Sequence, residues 1–383
     1  MNTLYLDYAA TTPCDAAVVE TMLRYLGEGG LFANPASRSH RPGWMAEQVV
    51  ENARLDVAGL IKADPREIVW TSGATEANNL AIKGSCEFYE GRRGRHLVTS
   101  VTEHKAVLDV MRYLAGKGYD VTFLRPGPQG VITAQHVEDV LRDDTFLVSL
   151  MWVNNETGVK NPIEEIAELT RSRKIVLHVD AAQAVGKCEI NVSQVPLDLM
   201  SFSGHKLYGP KGVGALFVRR EPFVGVFQQI HGGGHERGMR SGTLPTHQIA
   251  GFGAACRIAS ERWAQDAAHL QTVKDAFLAA IQGRGLDFAV NGHADERIPG
   301  ILNLSIAGVN SETLMAALPQ LALSSGSACN SATVEPSHVL TGMDIPRSEA
   351  LNALRISFGR FTTIEQVREA AGWLVDAVAS LKR

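Results

Sequence analysis

The sequence has few cysteines, and their spacing argues against two kinds of site. Five of the 383 residues are cysteines, their number is odd, and no two of them form a C-x-x-C pair. They are Cys14, Cys86, Cys188, Cys256 and Cys329. We therefore expect neither a disulfide framework nor a zinc or other metal site, and a reducing compartment fits best.

Long apolar runs and an excess of one charge are also lacking. No segment approaches the roughly 18 apolar residues of a membrane helix. The start, MNTLYLDYAATT, lacks the basic flank and apolar stretch of a signal peptide. A formal net charge of −4 gives no broad electrostatic reason to bind nucleic acid or an anionic membrane. The sequence therefore predicts a soluble cytoplasmic protein with no membrane and no direct nucleic-acid partner.

Repeats, low-complexity tracts and Pro/Ser linkers are missing as well, whereas 45% of the residues are hydrophobic. Seven short apolar runs rich in Val, Leu and Ile occupy the middle of the chain, and we predict most of them as buried strands. They span residues 66–72, 96–101, 120–126, 145–153, 174–180, 198–204 and 213–220. Helical patterns such as residues 162–173 lie between them, and this alternation predicts an α/β fold with a mainly parallel sheet.

The pattern changes after about residue 249. A long helical stretch at 249–281 leads to the run ILNLSI, a helix near 312–317, the runs LALSS and ALRISFGRF, and a last helix at 364–381. We predict a large domain over residues 15–250. A smaller α+β domain is predicted to combine residues 1–14 with 251–383.

Polar residues follow several of the predicted strands, where open α/β sheets bind ligands. TSGATEANN could open a helix whose free N–H groups hold a phosphate, or it could be an ordinary capped helix start. Asp180 could face a cation or cap a helix, and Lys206 could be a desolvated nucleophile or an exposed loop residue. His104 could move protons or be a satisfied surface histidine. Together, a phosphate cradle, an acid and a lysine are what pyridoxal 5'-phosphate requires.

The motifs that carry these residues resemble those of the NifS/IscS-like cysteine desulfurases, which are class V, fold-type I pyridoxal phosphate enzymes. The matching motifs run almost end to end and in the expected order: LDYAATTP, NPASRSH, TSGATEANNLAIKG, TEHKAVL, VNNETG, HVDAAQAVGK, SFSGHKLYGPKG, HGGGHERGMRSGT, SSGSAC and RISFGRFT. The resemblance implies a fold-type I transferase with pyridoxal phosphate as its cofactor. It also implies a homodimer that takes sulfur from L-cysteine and releases alanine.

The resemblance further implies roles for individual residues. Lys206 would form the Schiff base with the cofactor, His104 would stack on its ring as a base, and Cys329 would take the substrate sulfur as a persulfide. The other implied cofactor contacts are Ala74, Thr75, Asn155, Asp180, Gln183, Ser203, His205 and, toward the phosphate of the partner subunit, Thr243. The implied substrate contacts are Asn34, Asn155 and Arg355, whose planar guanidinium suits a carboxylate.

Alternatives remain at the level of the sequence. Cys329 could be a small core residue, although its polar neighbours argue against this. Other class V enzymes, such as selenocysteine lyases and aminotransferases, share much of the pattern, and a non-catalytic protein that only binds a sulfur acceptor is a third possibility. HGGG is similar to an esterase oxyanion loop, but no G-x-S-x-G accompanies it.

The sulfur acceptor stays open. IscS-type enzymes continue past the last helix into a tail that docks the iron–sulfur scaffold, whereas the sequence given stops at Arg383. The expected acceptor belongs to iron–sulfur cluster assembly, tRNA thiolation or DNA phosphorothioation. Asn330 stands where Thr is frequent in the family, and we have no physical account of its effect.

Overall fold

The computed structural model of the protein describes residues 3–325 and 335–383. Within them, twelve strands and eleven α-helices are formed. The strands are β1 (Leu4–Tyr5), β2 (Ile68–Thr71), β3 (His96–Ser100), β4 (Asp120–Leu124), β5 (Thr145–Met151), β6 (Val176–Asp180), β7 (Leu199–Ser203), β8 (Gly214–Val218), β9 (Phe288–Val290), β10 (Ile301–Ile306), β11 (Leu321–Ala322) and β12 (Ala353–Ser357). The helices are α1 (Ala16–Leu23), α2 (Arg41–Ile61), α3 (Ala74–Phe88), α4 (Lys105–Ala115), α5 (Ala134–Glu138), α6 (Ile163–Ser172), α7 (Thr246–Gln282), α8 (Ser311–Ala316), α9 (His338–Gly342), α10 (Arg347–Ala350) and α11 (Ile364–Leu381).

Seven strands form the main sheet, in the order β2-β8-β7-β6-β5-β3-β4. Only β8 is antiparallel to its neighbours, and the other pairs are parallel. Because β8 lies between them, β2 and β7 point the same way. The carboxyl ends of β2, β3, β5, β6 and β7 therefore meet at one edge of the sheet. The predicted mainly parallel α/β fold is confirmed.

The sheet is covered on both faces, which explains its uninterrupted apolar runs. Successive strand residues enter two different cores: Leu97 lies in one and Val98 in the other, and Leu147 and Val148 divide in the same way. This alternation is the two-residue period of a strand. Every residue of β5 is buried, whereas most of the edge strand β4 is only partly buried.

A further core forms around a smaller antiparallel sheet of order β12-β10-β9. Helix α11, which begins at a capping box formed by Thr363 and Gln366, packs onto this core. Leu6 is part of it, and β1 pairs with β11. The N-terminal segment therefore contacts the C-terminal part of the chain.

The long helix α7 contributes to both regions. Its first half places Phe252 and Cys256 in a core of the main sheet, and its second half places Val273 and Phe277 in the core around β10. The division into residues 15–250 and residues 1–14 with 251–383 stays a prediction. Across the described ranges, no helix is both long and apolar enough to cross a membrane.

Candidate active site

A cavity of about 630 Å³ opens at the carboxyl edge of the main sheet. Ten of the residues singled out by the sequence line it: Ala74, Thr75, His104, Asn155, Asp180, Gln183, Ser203, His205, Lys206 and Arg355. They come from six stretches of the chain, so the fold brings together what the sequence separates.

The start of α3 shapes one end of the cavity. β2 ends at Thr71, and Gly73 (φ +155°) makes the turn into α3, a conformation that favours glycine. Among the residues that the structure describes, no side chain caps this helix. Its first N–H groups therefore remain available to an anion, next to the cavity-lining Ala74 and Thr75.

Ser203 adds a polar atom beside this helix start. Its side-chain oxygen is buried, and no hydrogen-bond partner for it is present among the described residues. Buried hydroxyls nearly always have a partner, so this atom suits a polar ligand. The donor set around it, with a helix N-terminus and a hydroxyl, fits a phosphate group.

The carboxylate of Glu76, in the first turn of α3, is paired with neighbouring hydrogen-bond donors. Its carboxylate accepts hydrogen bonds from Arg240 Nε at 2.8 Å and from the Ser72 backbone N–H at 2.8 Å. Burial acts to raise the pKa of Glu76, but these bonds outweigh it and the pKa is lowered. An anion at the start of α3 therefore meets a carboxylate that is already paired.

Asp180 is held at the end of β6 by two donors. Its Oδ1 accepts from the Ala182 backbone N–H at 3.0 Å, and its Oδ2 accepts from Asn78 Nδ2 at 2.8 Å. Both bonds fix the carboxylate in a buried position on the cavity wall. Asn78 was not predicted as a site residue, although it lies inside the matched motif TSGATEANN.

His104 caps α4, and this role decides its tautomer. Its Nδ1 accepts from the Ala106 backbone N–H at 3.1 Å, so the ring proton lies on Nε2 when the ring is neutral. Burial lowers the pKa of His104; the Asp180 carboxylate opposes this, and the Lys206 ammonium adds to it. A neutral ring that keeps a free N–H suits stacking and hydrogen bonding.

Lys206 follows β7 in a 3₁₀ turn, Gly204–Lys206, that turns its side chain into the cavity. Its Nζ donates to the backbone oxygens of Ala9 at 2.6 Å and Ala10 at 2.7 Å. Burial, with the charge of Arg355, lowers the pKa of Lys206 to about 8. A lysine in this state is available as a nucleophile near neutral pH.

His205 and Gln183 line the cavity beside Lys206. His205 Nδ1 lies 3.1 Å from Thr11 Oγ1, and burial together with Lys206 lowers the pKa of His205 to about 4, so its ring is neutral. Gln183 Nε2 donates to the Ala9 carbonyl at 2.8 Å. The Ala9 carbonyl therefore accepts hydrogen bonds from both Gln183 and Lys206.

Arg355 enters the cavity from β12. Its Nη2 pairs with Asp7 Oδ1 at 2.8 Å, and its Nη1 donates to the Asn155 backbone oxygen at 3.0 Å. Its Nε and the side-chain oxygen of Asn155 are buried, and neither has a hydrogen-bond partner among the described residues. Two nitrogens of the Arg355 guanidinium are held by these bonds, and its Nε–H remains available as a donor. This arrangement fits a carboxylate ligand. Asp7 was not predicted as a site residue, although it lies in the matched motif LDYAATTP.

Two predicted residues lie elsewhere, and one lies outside the described residues. Asn34 is exposed and bonds the Ala36 backbone N–H at 2.9 Å, and Thr243 is exposed in the loop before α7. Neither lines the cavity. Cys329 falls outside residues 3–325 and 335–383, as does Asn330.

The other four cysteines are free thiols. Cys86 and Cys256 are buried, which raises the pKa of Cys86 to about 12 and that of Cys256 well above its usual value. Burial also raises the pKa of Cys188 to about 11, and it raises the pKa of Cys14. Because the thiolate is the nucleophile, these environments favour inert structural cysteines.

Comparison with known proteins agrees with this geometry. Residues 4–369 match the family described as Aminotransferase class-V. The cysteine desulfurase IscS of Pseudomonas aeruginosa is 55% identical over 379 residues, which are 99% of this chain and 93% of the relative. The chain belongs to the class-V aminotransferase family, among its cysteine desulfurases.

Solved structures of this family have the same fold. A NifS-like protein is 33% identical with a TM-score of 0.91, over 99% of this chain and 100% of that one. SspA in complex with cysteine is 37% identical with a TM-score of 0.83, over 94% of this chain and 100% of that one. The family and the fold-type I α/β architecture inferred from the sequence are thus confirmed.

Proposed function

We propose that this cysteine desulfurase uses pyridoxal phosphate to move sulfur from L-cysteine to Cys329, with release of L-alanine. One observation carries the proposal. Lys206, with a lowered pKa, shares a cavity with Asp180 and Arg355, next to buried polar atoms that lack partners within the described chain. Lys206 suits an aldehyde, Asp180 suits a pyridine nitrogen, and Arg355 suits a carboxylate.

Different cavity-lining residues would contact different parts of the cofactor. Lys206 would bind it covalently, and Asp180 would keep its ring nitrogen protonated. His104 would stack on the ring, and Gln183 and Asn155 would contact its edge. The phosphate would be held by Ala74, Thr75, Ser203 and His205, with Thr243 of the partner subunit. When bound, pyridoxal phosphate draws electrons from the α-carbon of the substrate.

Arg355 would bind the substrate carboxylate. Its ion pair with Asp7 and its bond to the Asn155 carbonyl fix two sides of the guanidinium. A planar guanidinium held in this way discriminates by geometry as well as by charge. Asn34 is proposed as a second substrate contact, although it is exposed in this chain.

Lys206 would then transfer protons, and Cys329 would take the sulfur. In its neutral form, the Lys206 amine accepts the α-proton. The Cys329 thiolate attacks the substrate sulfur, so an S–S bond forms while the Cβ–S bond breaks. The Cβ carbon keeps the electron pair of the broken bond and is protonated, and Lys206 returns a proton to the α-carbon, which gives alanine. Cys329 keeps the sulfur as a persulfide.

The covalent chain supports this role for Cys329. Ser324 pairs with Arg355 through two backbone hydrogen bonds of 2.7 and 3.3 Å. Cys329 follows Ser325 by four residues, and four residues reach at most about 14 Å. Cys329 is therefore close in sequence to a described segment that pairs with Arg355, the proposed carboxylate contact.

A homodimer is part of the proposal. Apolar side chains are exposed on α1, on the segment after it and on α2; they include Leu23, Phe32, Trp44 and Met45. Such side chains are enriched in subunit interfaces. A light-scattering mass of one chain would contradict this part of the proposal.

A cytoplasmic location and transfer of the persulfide to an acceptor protein complete the proposal. We propose that this acceptor serves iron–sulfur cluster assembly, tRNA thiolation or DNA phosphorothioation.

The proposal is tested by assaying alanine and sulfide from L-cysteine in the presence of a reductant. The wild type is expected to release both, and Lys206→Ala neither. Cys329→Ala should lose sulfide release by at least about a hundredfold, because no other thiol takes the sulfur. Cys14→Ala is the matched control and should keep wild-type activity. Full sulfide release by Cys329→Ala would overturn the mechanism.

A further inference from the structure

Lys187 is a partly buried lysine that the proposed mechanism does not use. It lies in the turn after β6, seven residues beyond Asp180 and four beyond Gln183. Burial lowers the pKa of Lys187 to about 7, and the charges that act on it are those of Lys206, Cys188 and Arg355. None of these is a carboxylate. A lysine placed in this way costs stability, so the fold must gain something from its amine.

The turn itself directs Lys187 inward. Gly186, with φ +76°, precedes it, and a side chain at Gly186 would meet Leu207 Cβ at 3.2 Å and Ala259 Cβ at 3.3 Å. Both the conformation and the contact therefore favour glycine. The close approach packs the turn against Leu207, the residue after Lys206.

The amine of Lys187 bonds the side chain of Gln183. Lys187 Nζ lies 2.5 Å from Gln183 Oε1, and Gln183 Nε2 donates to the Ala9 carbonyl at 2.8 Å. The Ala9 carbonyl also accepts from Lys206 Nζ at 2.6 Å. An unbroken series of hydrogen bonds therefore joins Lys187 to Lys206 through Gln183 and Ala9.

This series permits only one orientation of the Gln183 amide. An ammonium donates only, and a backbone carbonyl accepts only. A flipped amide would set its oxygen against the oxygen of the Ala9 carbonyl, which is repulsive whatever the charge of Lys187, and its NH₂ against the ammonium whenever Lys187 is protonated. In the observed orientation, the second N–H of Gln183 stays available to the cavity, where the residue lies on the wall.

We propose that Lys187 is a positioning residue that fixes the Gln183 amide as a donor toward the cofactor and keeps the carbonyl shared with Lys206 in place. The inference rests on the proposed function, because Gln183 acts there on the ring of the cofactor. Lys187 touches neither substrate nor cofactor in this account. It acts through Gln183.

The test compares four proteins by their affinity for pyridoxal phosphate, measured by titration of the apoprotein. They are the wild type, Lys187→Met, Gln183→Ala and the double variant. Lys187→Met is expected to weaken binding by about tenfold, as the loss of one buried hydrogen bond to a polar partner does. In the Gln183→Ala background, the same change should weaken binding by less than about twofold. Lys187→Arg, which keeps a donor, should restore much of the affinity.

The outcomes separate this inference from the proposed function. A wild type that binds no pyridoxal phosphate would contradict the proposed function itself. A wild type that binds it, with an unchanged affinity for Lys187→Met, would overturn only the role of Lys187. An equal loss in the presence and absence of Gln183 would also overturn it, because the lysine would then act independently. If Lys187→Met did not fold, Lys187→Ala, which also removes the donor, would carry the same comparison.

Discussion

At the scale of the residue, the reactivity of Lys206 comes from segments that are remote in sequence. The two carbonyls that accept from its amine belong to Ala9 and Ala10, nearly two hundred residues away. Burial is the main cause of its lowered pKa, and Arg355 adds to it, while Asp7 and Asp180 oppose it. The local sequence SFSGHKLYGPKG suggests a lysine after a strand, but only the tertiary structure makes its amine reactive.

This environment predicts a pH dependence for cofactor loading. The reacting form of Lys206 is the neutral amine, and its pKa in the folded apoprotein is about 8. The rate at which the apoprotein binds pyridoxal phosphate covalently should therefore rise with pH and level off above a midpoint near 8. The measurement is the growth of the absorbance band of the bound cofactor, with Lys206→Ala as the blank. A rate that is flat from pH 6 to 9 would contradict the lowered pKa.

The same shift contributes to stability with a defined sign. The pKa of Lys206 in the folded protein lies below the usual lysine value of 10.5, so the unfolded chain binds more protons between pH 8 and 10.5. The contribution of Lys206 to the free energy of unfolding therefore rises with pH across that window.

How far the site could be predicted depends on where each contact comes from. Lys206, Asp180 and His104 could be found because they follow buried strands directly. Asn78 and Asp7 were missed because their partners, Asp180 and Arg355, are 102 and 348 residues away. Nothing in a local pattern indicates such a pair. The roles of all these residues stay predictions.

At the scale of the element, the sequence predicted long and fully buried segments well. All seven predicted runs contain strands of the main sheet, and α11 has the predicted bounds. The elements that were not predicted include the 21-residue helix α2 as well as short ones. The strand β9 has three residues, two of them exposed. A segment of three residues holds too little of the two-residue period to be recognised.

The loop that carries Thr243 depends on a buried ion pair. Arg54 of α2 donates to both carboxylate oxygens of Glu236, at 2.7 and 2.9 Å, and Glu236 also accepts from the Trp70 backbone N–H at 2.8 Å. Glu236 and Arg237 both have positive φ, at 51° and 57°. The ion pair therefore holds a strained turn against α2 and β2.

Breaking the ion pair between Arg54 and Glu236 should lower the free energy of unfolding. Arg54→Met would leave the Glu236 carboxylate buried without its partner, and we expect a loss of about 3–5 kcal/mol in the free energy of unfolding. The control is Arg24→Met, whose ion pair with Glu20 is 64% and 71% exposed. That change should cost less than about 1 kcal/mol. Urea denaturation measures both, and equal effects would contradict the role assigned to Arg54.

At the scale of the whole molecule, the cavity depends on both ends of the chain. The main sheet provides Lys206 and Asp180, β12 provides Arg355, and the N-terminal segment provides Asp7 and the Ala9 carbonyl. Helix α7 runs from the cores of the sheet to the core around β10. A displacement between these regions would therefore separate the carboxylate contact from the lysine. The sequence analysis grouped residues 1–14 with the C-terminal part of the chain and placed Arg355 in the site through the resemblance. The contacts of Asp7 and of the Ala9 carbonyl could not be predicted, because no local pattern shows which side chain they will meet.

The most direct test of the central claim is mass spectrometry of the peptide that contains Cys329. The purified protein is incubated with L-cysteine without reductant, and Lys206→Ala is treated in parallel. We expect one added sulfur on Cys329 together with released alanine, and neither in Lys206→Ala. Turnover of L-cysteine with no sulfur added at Cys329 would contradict it.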